Sequence, residues 1–150
     1  MTEAFTFPRL GDWEAALTAY VEACRERPYA WGEHDCALFC ANAVHAMTGH
    51  DPAAGFRGHY STAIGSERVL RRRGEGSLEA QLDALFAPVE PAFARRGDLV
   101  WHDGAVGLAM GPFALFVGQV GEDETTALHG LVRVARAHWQ KAWAIGVLVS

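Results

Sequence analysis

The spacing of apolar residues changes near Gly97, and that change limits the architectures open to the chain. Up to Pro91 the apolar side chains recur every three to four residues, as on one face of a helix. From Gly97 onward they fall in short runs of four to six, separated by Gly and polar turns, as in strands. Helices gathered in one half and strands in the other argue for an α+β fold, because a parallel βαβ arrangement needs the two to alternate. No internal repeat, low-complexity tract or linker divides the 150 residues, so residues 1–150 read as one domain.

In the helical half, a first helix is expected from Asp12 to about Arg27, with Asp12 as N-cap, a stripe of Trp13, Leu17, Tyr20 and Cys24, and Pro28 as its stop. Tyr29 to Asp35 is an aromatic connection with a flexible Gly32. Asp35 then caps a second helix from Cys36 to about Thr48, which Gly49 ends in the left-handed conformation. His50 to Tyr60 reads as loop. Helices follow over Ser61 to Arg73 and from Ser77, and Pro88 and Pro91 close this half. In the strand half, the expected strands are Asp98–Trp101, Ala105–Met110, Phe113–Val117, Leu128–Val134 and Ala142–Val149. His102-Asp103-Gly104 is the first hairpin connection, Gly121–Thr126 a polar loop, and Ala135–Lys141 a helical turn.

Thirteen basic against eighteen acidic residues leave a net charge of −5, which excludes a broad basic footprint for nucleic acid. No apolar run reaches the ~18 residues of a membrane span, and Met1 to Leu10 lacks the pattern of a secretion signal. Three cysteines do not make a disulfide framework and point to a reducing compartment. CxxC, HExxH and Gly-rich phosphate-loop motifs are absent, so neither a metal nor a cofactor is expected.

Cys36 is the candidate nucleophile. It stands in the first turn of a helix, where free N–H groups and the dipole favour a thiolate, although the charge of Asp35 acts against this. Its place on the apolar stripe with Phe39 and Cys40 is that of a core cysteine, the commoner role for such a residue. Trp31 and Trp101 suit the walls of a cleft near Cys36, or an assembly surface. Among the histidines, His102, beside Asp103, is a solvent-facing turn residue or, as the nearest to the hairpin, the candidate base. His34 would have to fold back to reach the sulfur, and His129 lies on an expected strand. Arg71-Arg72-Arg73, with Arg68, is a solvated helix end or a patch for an acidic partner.

The string Trp31-Gly32-Glu33-His34-Asp35-Cys36-Ala37-Leu38-Phe39, followed by Arg96-Gly97-Asp98-Leu99-Val100, resembles the NlpC-type papain-like cysteine peptidases. Asp-Cys-Ala-Leu-Phe, Thr48-Gly49-His50-Asp51-Pro52 and Arg57-Gly58-His59-Tyr60 are similar to a family of small phage and prophage proteins encoded among tail genes. The resemblance implies N-terminal helices packed on a small antiparallel sheet or half-barrel. It also implies Cys36 as nucleophile of an amide hydrolase acting on peptidoglycan peptide, and a place in the virion beside tail tip or hub proteins. In the superfamily the base opens the strand that here reads Ala105-Val106-Gly107-Leu108, so Ala105 stands where the histidine is expected. The next strand, Phe113–Val117, offers no polar residue to orient a base. Two readings follow: a hydrolase that draws its base from elsewhere, His102 being nearest, or a non-catalytic structural component of a tail tip.

Overall fold

The computed structural model describes residues 2–118 and 130–146. It is an α+β fold of four helices and a six-stranded, fully antiparallel, open sheet. The helices are α1 (Trp13–Cys24), α2 (Cys36–Thr48), α3 (Ala63–Arg73) and α4 (Leu78–Leu85). The strands are β1 (Ala87–Val89), β2 (Leu99–His102), β3 (Ala105–Ala109), β4 (Phe113–Val117), β5 (Leu131–Ala135) and β6 (Lys141–Ala144), in spatial order β1-β6-β2-β3-β4-β5. No helix of the described residues is long and apolar enough to cross a membrane.

Helix α2 follows its sequence signals closely. The Asp35 carboxylate accepts from the Leu38 N–H, and Gly49, at φ 81°, closes the far end. Helix α1 departs from them at both ends. Asp12 makes no capping bond, and the start is held by a turn from the Trp13 N–H to the Leu10 carbonyl. The helix stops at Cys24, three residues short of Arg27, because the residue before a proline is driven out of helical geometry and Pro28 unwinds the final turn.

Strand β1 has no counterpart in the sequence reading, where Pro88 is a breaker. A proline is tolerated on an edge strand, and β1 is the sheet's edge beside β6. The helical turn expected over Ala135–Lys141 is a 3-10 helix, Arg136–His138. The Gly121–Thr126 loop, His129 and the ends of two expected strands (before Gly130 and after Gly146) lie outside the described residues.

One correction decides the site. His102 belongs to β2 and not to the hairpin turn. The turn is only Asp103-Gly104, both at positive φ (46° and 79°), as a two-residue connection between right-twisted strands requires. Successive strand residues face opposite sides of a sheet. Leu99, Trp101, Val106 and Leu108 therefore face α2 and the main core, with Phe39, Val44, Met47 and Trp143. Val100, His102, Ala105 and Ala109 face the other side. There Phe116, Trp139, Ala142 and Ala94 form a second, smaller core.

The N-terminal segment is fastened to the far end of the sheet. Arg9, packed 4.3 Å over the Trp13 ring, donates to Asp98 (2.9 Å), to the Ile145 carbonyl (2.9 Å) and to the Arg96 carbonyl (2.7 Å). Asp98 is sealed from solvent and also accepts from the N–H groups of Ile145 (3.0 Å) and Arg95 (2.7 Å). The Gly-Asp pair that opens the sheet is thus a structural anchor, and its carboxylate is fully committed.

Candidate functional site

Asp35 organises the site. One carboxylate oxygen caps α2 through the Leu38 N–H (2.9 Å). The other accepts from the Gly32 N–H (2.9 Å) and the Tyr60 hydroxyl (2.6 Å). The Trp31-Gly32 loop is folded back on itself by paired hydrogen bonds between Ala30 and His34. Gly32 sits at φ 81° against the Tyr60 carbonyl, a place a Cβ would fill, so only glycine brings these segments together. Tyr60 arrives on a loop braced by the Arg57 guanidinium. That group forks onto Asp51 (2.6 and 3.1 Å) and reaches the Asn42 side chain on α2 (2.5 Å). Burial and the Asp35 carboxylate hold the Tyr60 hydroxyl well above the usual tyrosine range, so it remains a proton donor at neutral pH.

Cys36 lies in the floor of a cleft of about 400 Å³. Trp31, Trp101 and Tyr60 stand on its sides, and α3 contributes a polar margin of Ser66, Glu67 and Arg71. The sequence pointed to Trp31 and Trp101 as cleft walls, and both line it. In the sequence Tyr60 stands out only as the end of the Arg57–Tyr60 string. Its role depends on a contact 25 residues away and leaves no local trace.

Cys36 is half-buried as a residue, and its side chain remains a thiol at neutral pH. Burial raises its pKa above the ordinary value, the backbone N–H groups of Val106, Ala37 and Cys36 itself pull the other way, and the charge of Asp35 adds to the rise. The Val106 N–H is free for this contact for a geometric reason. Beside a two-residue hairpin the His102–Ala105 pair exchanges hydrogen bonds, so the next N–H on β3 points away from β2. The pairing of β3 with β4 is registered at Leu108 and Ala109, beyond Val106.

None of the groups acting on the sulfur is an imidazole of the described residues. His102 is on the opposite face of the sheet. Its Nδ1 donates to the His138 carbonyl (2.9 Å), its Nε2 lies 3.3 Å from Asp103, and its ring meets the edge of Phe116. Ala105 shares that face. The structure therefore does not bring His102 to Cys36. His34 is wholly buried, edge-on to Phe39, with neither ring nitrogen hydrogen-bonded. Cys24 and Cys40 are buried free thiols, and burial pushes that of Cys40 far up. Among the described residues no three His, Cys, Asp or Glu side chains are gathered closely enough to hold a metal ion.

Cys36, Trp31, Trp101 and Tyr60 thus line one cleft, and no histidine is among its lining residues. A family model described as a domain of unknown function (DUF6950) matches residues 8–145. No curated protein and no solved structure matches the chain.

Proposed function

The chain belongs to the DUF6950 family, and we propose that it is a papain-like, NlpC-type domain of a phage or phage-like tail that binds a peptide segment in the Cys36 cleft without cleaving it. The observation that carries this reading is the environment of the sulfur. Cys36 lines the cleft beside Trp31 and Trp101, and the side chains of His102 and Ala105 lie across the sheet. A thiol at or above its ordinary pKa is less than about 3% thiolate at pH 7. A missing general base forfeits roughly 10²–10⁴-fold for each proton transfer. What remains is an accessible cleft with aromatic walls, suited to holding an extended backbone. The tail assignment is supported by the similarity of the Asp35-Cys36, Thr48–Pro52 and Arg57–Tyr60 strings to small tail-encoded proteins. In this structure those strings build the brace around Asp35 and Tyr60.

Iodoacetamide labelling and a cell-wall digest test the proposal together. Cys36 is expected to alkylate no faster than a free cysteine at pH 7.5, with a rate that climbs only in alkaline buffer. Peptidoglycan sacculi are expected to stay intact, and the protein to be present by immunoblot in purified tail particles. Release of peptide fragments by the wild-type chain and not by Cys36→Ala would overturn the non-catalytic reading. Absence from tail particles would overturn the tail assignment.

A further inference from the structure

Beside the cleft, between α2, α3 and α4, lies a second cavity of about 70 Å³. Its walls are almost entirely apolar, with Leu38, Val44, Val69, Leu82 and Phe86 among them. Gln81 is the one amide on the wall, and both of its ends are engaged. Its oxygen accepts from the Glu75 N–H (2.9 Å), and its nitrogen donates to the Thr2 hydroxyl (3.2 Å). A water molecule needs two to four polar partners to stay in such a space, and this one supplies almost none. The volume is sufficient for water, but the chemistry is that of a hydrocarbon site.

The cavity and the cleft share Ala37, Tyr60, Ser66 and Leu70 as wall residues. The two spaces therefore meet along these residues, and Ala37 is the residue that follows Cys36. By proportion to a 150 Å³ apolar cavity that accepts benzene, this one takes about three carbon atoms. That is the size of a valine isopropyl group, or of the branched end of a leucine or isoleucine side chain, and too small for an aromatic ring.

We infer that the cavity is a specificity pocket for a valine, leucine or isoleucine side chain, carried by a protein segment whose backbone lies in the Cys36 cleft. This rests on the peptide-binding reading above and narrows it to a partner protein that presents a branched aliphatic residue. Burying that side chain returns to the cavity wall the contacts that it lacks when empty, and the gain scales with the apolar area removed from water. An alanine in the same position leaves most of the space unfilled, and a charged residue is excluded.

The test is a fluorescence-polarisation titration with labelled, terminally blocked heptapeptides of Ala and Ser that carry one central Leu, Ala or Asp. A muramyl tripeptide is the competing probe. The Leu peptide is expected to bind at least tenfold more tightly than the Ala peptide, and the Asp peptide more weakly than either. Ala41→Leu fills the cavity from its α2 wall and is expected to bring the Leu peptide down to the affinity of the Ala peptide. Val69→Ala enlarges the cavity, and its preference is expected to move from Leu toward Phe. It decides the matter if the Ala41 variant does not fold. Equal affinity of wild type for the Leu and Ala peptides would overturn the pocket and leave the cleft reading standing. Tighter binding of the muramyl peptide than of the Leu peptide would overturn the choice of partner. No binding by any peptide would overturn the cleft reading and the pocket with it.

Discussion

A carboxylate buried at a helix start must have its oxygens satisfied by fixed donors, and Asp35 finds three: the N–H groups of Leu38 and Gly32 and the hydroxyl of Tyr60. Each donor belongs to a different segment, so the side chain positions α2, the Trp31 loop and the Tyr60 loop at once. Asp35→Ala removes an N-cap, worth about 0.5–2 kcal/mol. It also leaves the half-buried Tyr60 hydroxyl without its partner, at up to about 1–3 kcal/mol. The expected loss in urea unfolding is roughly 2–4 kcal/mol. Tyr60→Phe alone is expected to cost less. The double variant should cost less than the sum of the two, since they share one hydrogen bond. Strict additivity in that cycle would mean that the Tyr60–Asp35 bond contributes nothing. Cys36 has no comparable set of partners, and Cys36→Ala is expected to be mild by comparison.

At the scale of elements, the β2–β3 hairpin decides which side chains meet α2. Gly107 sits within it under the Phe116 ring, where an added Cβ would fall 2.5 Å from two ring carbons. Gly107→Ala is expected to displace the ring or the strand and to cost about 1–3 kcal/mol in a thermal or urea melt. Phe116→Leu in the same chain should return part of that loss, and no recovery would count against the clash as its cause. This hairpin also shows what the sequence could and could not reveal. The Asp-Gly turn and both strands were readable from composition and spacing. Whether His102 is the last strand residue or the first turn residue was not, and that single step moves its ring to the other side of the sheet. Helix α2 was legible to the residue because its cap and its glycine are local signals. The Trp31 and Trp101 walls were legible as rings flanking Cys36. Strand β1, the Tyr60 contact and the aliphatic cavity were not, since each comes from packing between segments far apart in sequence.

For the whole molecule, the response to acid separates the interior from the surface. His34 is fully buried with both ring nitrogens unpartnered. Burial, together with the nearby Arg27 charge, lowers its pKa below the ordinary 6.5, and Asp35 opposes them only in part. The unfolded chain therefore binds more protons than the native one below about pH 6.5, so stability falls as the pH drops from there toward the lowered native value. The carboxylates of Asp51 and Asp83, held below their usual range by Arg57 and by Lys141, withdraw their contribution only at more acid pH. Urea midpoints between about pH 7 and pH 5 are expected to decline in wild type and to flatten in His34→Phe. An unchanged slope in the variant would remove His34 as the cause.

Asp98 joins two distant segments, through Arg9 and Ile145, to its own loop, where Arg95 also donates to it. During synthesis Arg9 and Arg95 are available long before Ile145. Until residue 145 has left the ribosome, this buried acid lacks one of its donors and Arg9 lacks the Ile145 carbonyl. Helices α1 and α2 can pair earlier, but the sheet cannot be locked until its last strand emerges. A nascent chain stalled before that point would carry this acid at the end of its sheet with one donor missing.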